Sequence, residues 1–162
     1  VLIVEDEVLL ALDVELMVED AGLEPVGHAV RGTEAIEMVD RLRPEVLLVC
    51  VQLLDGTTGL AVAAHATRDR NTLVILMTGN RQILPADLVG AWGVIPKPYS
   101  HGGFVQALRF VRAYLNGDPI SGGVPSSIEL GSNYRDEYRQ RTPLRSANGE
   151  QPPPYPGWSH GR

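Results

Sequence analysis

One cysteine, one lysine and an aromatic content of 6% are what this 162-residue chain has least of. A lone cysteine, Cys50, cannot make an internal disulfide, which suits a reducing compartment and points to the cytoplasm. No apolar run approaches the roughly 20 residues of a membrane-spanning helix. No basic-then-apolar leader opens the chain either, so no membrane partner is expected. Positive charge is also scarce: 14 Lys and Arg face 20 Asp and Glu, a net charge of −6. Residues 1–116 hold 15 acids and 9 basic residues, whereas 117–162 hold 5 of each, so the formal charge belongs to the first segment. Affinity for nucleic acid rests on neutralising phosphates, and no nucleic-acid partner is expected of such a chain. The first residue already lies in a strand pattern and is not methionine, so a few residues are expected to precede it.

What is present is an alternation of apolar runs and helical patterns over residues 1–116, the mark of parallel β/α units. The pattern predicts strands near 1–4, 25–30, 45–50, 73–77 and 93–96, and helices near 8–21, 33–42, 58–69, 84–90 and 103–115. Gly22 suits the left-handed residue that ends a helix, and Thr33 suits an N-cap. Five such units make an α/β, doubly wound, flavodoxin-like five-stranded parallel sheet, whose site lies at the carboxyl ends of its strands.

Residues 117–162 differ. They carry seven of the twelve prolines and seven of the seventeen glycines, with no apolar period. A segment of this kind buries too little surface to offset its ordering entropy, so a flexible, disordered C-terminal tail is expected. Tyr134 to Arg141 suits a charged helical turn, and Pro152 to Pro156 suits polyproline II, either as a partner ligand or as a solvated end.

The chemistry collects at four predicted strand ends. Val1 to Val4 leads to Glu5-Asp6, Val46 to Val49 leads to Cys50, Leu73 to Met77 leads to Thr78-Gly79, and Val94-Ile95 leads to Lys97-Pro98. Glu5 and Asp6 are placed to bind a hard cation through oxygen, or to cap the helix that follows. Lys97 is the only lysine among 14 basic residues, which suggests a need for its compact, flexible ammonium. An acid pair, a central residue, a hydroxyl and a lysine in this order resemble the response-regulator receiver domain, a (βα)5 fold that works in bacterial two-component and phosphorelay signalling. The resemblance covers residues 1 to about 116. It implies that Asp6 ligates Mg2+ directly with Glu5 beside it, and that the Gln52 carbonyl also faces the metal. It further implies that Thr78, Gly79 and Lys97 form a phosphoryl pocket. The segments Met77-Thr78-Gly79 and Lys97-Pro98-Tyr99 resemble the FAT GUY single-domain receivers of alphaproteobacteria, although Leu76-Met77 departs from the Phe-Ala of that motif.

Two departures bear on function. Receivers carry a phosphorylated aspartate where Cys50 stands, and a thiol cannot form an acyl phosphate. Cys50 is read either as a small apolar filler at a strand end or as a redox thiol; Asp55, in the following turn, is a remote substitute acceptor. Receivers also place an aromatic residue three positions before the lysine, where this chain has Val94.

The first helix is apolar at nine of eleven positions from Val8 to Val18. If Leu9, Leu12 and Leu16 face the sheet, Leu10, Val14 and Met17 remain for a partner. In the last helix Phe110 and Tyr114 form a second stripe beside Phe104, Leu108, Val111 and Leu115. An exposed patch of this kind fits a homodimer through the first and last helices or a histidine kinase, unless the tail folds back over it. The sequence thus predicts a non-enzymatic, degenerate single-domain response regulator acting by protein contact, with at most weak Mg2+ binding. The alternatives are a redox-responsive receiver using Cys50, and a magnesium-dependent phosphatase-like enzyme of the same fold.

Overall fold

The computed structural model describes residues 1–54, 58–68, 71–120, 122–132 and 134. Strand β1 (Leu2–Val4) leads to helix α1 (Val8–Asp20), β2 (Gly27–Ala29), α2 (Gly32–Leu42), β3 (Val46–Cys50) and α3 (Thr58–Ala66). Then come β4 (Leu73–Thr78), β5 (Gly93–Pro96), α4 (His101–Asn116) and β6 (Glu129–Leu130). The strands lie in the order β2-β1-β3-β4-β5-β6. The first five are parallel, as expected of a doubly wound, flavodoxin-like α/β sheet. Strands β3 and β4 are buried at every residue, which is why they read as unbroken apolar runs and not as alternating ones.

The sheet has a sixth strand that the sequence reading placed in a flexible tail. Within the described part of 117–162, Glu129 and Leu130 pair antiparallel with Val94 and Gly93. A Cβ on Gly93 would approach the Glu129 carbonyl oxygen to 2.8 Å, so glycine admits the new strand. Ile128 and Leu130 are buried there, and the Gly131 amide donates to the Trp92 carbonyl at 2.8 Å. Pro152 to Pro156 and nearly all of the predicted 134–141 turn lie outside the described residues, as does Asp55.

Three local expectations are corrected. No α-helix forms at 84–90; two 3-10 turns, Arg81–Ile83 and Leu88–Gly90, stand in its place. Leu88 and Val89 both take positive φ, a conformation that costs an L-residue about 1–2 kcal/mol. Burial of Leu88, the Asp87 carboxylate accepting from the Val89 amide at 3.1 Å and the Thr67 hydroxyl donating to the Val89 carbonyl at 2.9 Å oppose that cost. Helix α2 begins at Gly32 with Arg31 at its N-cap, so Thr33 lies inside the first turn.

The third correction concerns the interface residues. On α1 the buried face is Ala11, Val14, Met17 and Val18, and Leu10 is only half-exposed. The outward face is Val8, Leu9, Leu12 and Leu16, with Leu9 81% exposed. A helix apolar nearly all round does not announce which stripe packs. On α4, Phe110 and Tyr114 are buried against Trp92, with ring centroids 5.7 and 4.9 Å away, and Tyr134 stacks on the same tryptophan at 6.3 Å. The first stretch of the supposed tail therefore helps to close the α4 side. Helices α1 and α4 are neighbours, as expected. The Arg112 guanidinium donates to the Ala21 carbonyl at 2.9 Å and Arg109 to that of Asp20 at 3.0 Å, which satisfies the end of α1.

Candidate functional site

The strand order reverses direction between β1 and β3, and a doubly wound sheet opens its crevice at such a point. A cleft of about 280 Å3 lies there, lined by Glu5, Asp6, Glu7, Cys50, Gln52, Thr78, Gly79 and Lys97. All seven residues singled out in the sequence thus meet in one place, with Glu7 added.

Local structure explains each position. Glu5 follows β1, and its amide donates to the Ala29 carbonyl at 3.1 Å, prolonging the β1–β2 ladder by one residue. His28 Nε2 donates to the Glu5 carbonyl at 2.7 Å, a second anchor from β2 that sequence reasoning missed. The N-cap of α1 is Glu7, and no side chain caps that helix, so Glu5 and Asp6 do not serve as its cap. Cys50 ends β3 and is 6% exposed. Helix α3 fixes the backbone there. A Cβ on Gly59 would collide with the Cys50 carbonyl oxygen and come within 2.8 Å of the Val51 Cα, so only glycine permits this approach.

The polar contacts centre on Lys97. Its ammonium donates to Glu5 Oε2 at 2.7 Å and to Cys50 Sγ at 3.5 Å. The Lys97 side chain is 21% exposed and that of Glu5 only 1%. Burial disfavours the ammonium, but the hydrogen bond and charge of Glu5, with Cys50 nearby, outweigh it and hold the Lys97 pKa above its ordinary value. Glu5 Oε1 is buried and has no hydrogen-bond partner among the described residues. One ligand atom each from Glu5, Asp6 and Cys50 lie within 4.8 Å of one another.

The Cys50 thiol donates to the Gln52 carbonyl at 3.0 Å. Burial first, and the Glu5 carboxylate second, push its pKa up; Lys97 and the Gln52 contact pull the other way and do not prevail. The thiol is therefore protonated at neutral pH and a poor nucleophile. Alkylation of Cys50 by iodoacetamide is expected to stay slow through pH 8 and to accelerate only above the ordinary thiol range of about 8.5. Glu5→Gln should move that inflection to lower pH, measured by intact mass against time.

Thr78 ends β4; its hydroxyl donates to the Asn80 carbonyl at 3.3 Å and accepts from the Asn80 amide at 3.0 Å. A Cβ on Gly79 would find only Lys97 atoms, none closer than 3.9 Å, so the space above the cleft stays open.

A family model described as the response regulator receiver domain matches residues 1–109. The chain belongs to the response regulator receiver family. Its receiver domain is 37% identical over 79 residues to the phyllosphere-induced regulator PhyR of Methylorubrum extorquens, covering 48% of this chain and 30% of that one. It is 30% identical over 115 residues to the transcriptional regulatory protein PdtaR of Mycobacterium tuberculosis, covering 67% and 54%. The crystal structure of the response regulator PhyR from Brucella abortus superposes with a TM-score of 0.58 at 29% identity, over 71% of this chain and 49% of that chain. The chain therefore spans between 30% and 54% of the length of these relatives. Among the described residues of the receiver domain, no helix is long and apolar enough to cross a membrane.

Proposed function

We propose that this receiver domain signals by protein contact, without aspartyl phosphorylation. The observation that carries the reading is the residue at the end of β3. A cysteine stands there, its Sγ 3.5 Å from the Lys97 ammonium, in a cleft whose remaining groups are those expected of a phosphoryl site. A thiol cannot yield an acyl phosphate, and burial and the Glu5 carboxylate oppose the thiolate that direct phosphoryl transfer to sulfur would need. The same protonated state counts against a redox-responsive thiol.

In this reading Thr78, Gly79 and Lys97 are a retained phosphoryl pocket without its acceptor. Glu5, Asp6 and the Gln52 carbonyl keep oxygen donors for a weak Mg2+ site. Where a third anionic oxygen is needed, Cys50 offers sulfur, so the donor set fits Mg2+ poorly and no step is routed through that ion.

The partner is a histidine kinase or another signalling protein. Val8, Leu9, Leu12 and Leu16 form an exposed apolar stripe on α1, which starts directly after the acids of the cleft. Such a stripe suits a helical partner. The net charge of −6 favours a protein partner over nucleic acid, and the free cysteine fits a cytoplasmic setting.

Incubation with acetyl phosphate and Mg2+ followed by intact mass analysis tests the reading. The expected result is no hydroxylamine-labile phosphoryl addition. A labile phosphoprotein, at Cys50, Asp55 or elsewhere, would overturn it.

A further inference from the structure

We infer that the cleft is a mixed thiolate–carboxylate site for a thiophilic divalent cation, Zn2+ in preference to Mg2+, with Glu5, Asp6 and Cys50 as its ligands. Two independent observations support it. The first is the convergence of one ligand atom from each residue within 4.8 Å. Zn–S and Zn–O bonds of about 2.3 and 2.0–2.2 Å put neighbouring ligands of a tetrahedral ion roughly 3.5 Å apart. Small side-chain rotations therefore close the triangle.

The second is the Glu5 carboxylate itself. Lys97 holds Oε2, whereas Oε1 is buried without a hydrogen-bond partner among the described residues, on a side chain only 1% exposed. A buried carboxylate oxygen without a donor costs free energy, and a cation in the cleft supplies the missing partner.

The donor set selects the ion. Mg2+ asks for near-octahedral oxygen at 2.0–2.1 Å, and sulfur is a poor substitute. Thiolate and carboxylate donors suit Zn2+. On binding, the Sγ–H bond breaks, its electron pair forms the S–Zn bond, and the proton leaves to solvent. Loss of that proton also removes the hydrogen bond to the Gln52 carbonyl, which becomes available as a fourth, oxygen ligand. Two carboxylates and a thiolate then balance the charges of the dication and of Lys97.

The inference rests on the cleft having no aspartyl acceptor, and it is tested separately from phosphorylation. Chelator-stripped full-length protein is titrated with Co2+ as the spectroscopic probe. The wild type should develop a thiolate-to-cobalt charge-transfer band that saturates at a single equivalent. Zn2+ should abolish that band, and excess Mg2+ should not. Cys50→Ser should lose the band, and both Cys50→Ser and Glu5→Gln should weaken Zn2+ binding at least tenfold, with circular dichroism showing that each variant is folded. Absence of the band in the wild type overturns the inference. So does a band unchanged in both Glu5→Gln and Asp6→Asn, since the thiol would then bind without the carboxylates. A negative cobalt result leaves the contact-based reading standing, whereas acetyl phosphate labelling of the wild type sinks that reading whatever cobalt shows.

Discussion

Cys50→Asp is expected to convert an unreactive receiver into one that acetyl phosphate modifies in the presence of Mg2+. Four features of the cleft favour that outcome. The Lys97 ammonium, 3.5 Å from Sγ, would reach the new carboxylate and, later, a phosphoryl oxygen. Glu5 and Asp6 with the new carboxylate give the oxygen-rich set that Mg2+ requires. Gly79 leaves the approach open, and the Thr78 hydroxyl needs only to leave the Asn80 carbonyl. Intact mass analysis should move from no detectable hydroxylamine-labile product in the wild type to a major labelled fraction in the variant. The third clustered carboxylate also adds like-charge repulsion, so the variant alone should show a melting temperature that rises with Mg2+. A folded variant that stays unlabelled would mean that the pocket lacks more than its acceptor.

Lys97→Met is expected to destabilise the fold by about 3–5 kcal/mol, because it leaves a buried carboxylate without its cation. Glu5 is 1% exposed, and among the described residues its only charged hydrogen-bond donor is the ammonium at 2.7 Å. Adding Glu5→Gln to Lys97→Met should recover most of the loss, because the uncompensated charge is then gone. Urea unfolding of the two single variants and the double variant gives the coupling energy directly. The sign with pH follows from Lys97. Its folded pKa is raised, so its contribution is fully present below the ordinary lysine value of 10.5 and is lost as the pH climbs through the folded value. The cost of Lys97→Met should therefore be constant across neutral pH and shrink only in strong alkali. A cost below about 1 kcal/mol, the level of an exposed pair, would show that the bridge is solvated.

The strands at the centre of the sheet were readable because burial on both faces demands unbroken apolar runs, and Val46 to Cys50 and Leu73 to Met77 supply them. The convergence of Glu5, Asp6, Cys50, Gln52, Thr78, Gly79 and Lys97 followed from strand order, since each lies at or just past a carboxyl end. What could not be read depended on contacts between distant segments. On α1 the buried stripe is Ala11, Val14, Met17 and Val18, which a helix apolar at nearly every position does not distinguish from Val8, Leu9, Leu12 and Leu16. Strand β6 is two residues long; Gly93 leaves room for the Glu129 carbonyl, and the Trp92 carbonyl accepts from the Gly131 amide. The stripe of Phe110 and Tyr114 was visible, but its cover, Trp92 and Tyr134, lies in two other stretches of chain. The segment 84–90 contains apolar residues enough for a helix, yet left-handed Leu88 and Val89 turn the chain instead. His28 gave no signal because it supports the site through the backbone of Glu5.

Amide NMR with beryllofluoride, a mimic of the phosphoryl group, decides whether the wild-type cleft takes up that group. With Mg2+ and beryllofluoride present, resonances around Cys50, Thr78 and Lys97 should stay unchanged in the wild type and shift saturably in Cys50→Asp. Saturable, Mg2+-dependent shifts in the wild type would contradict the contact-based reading.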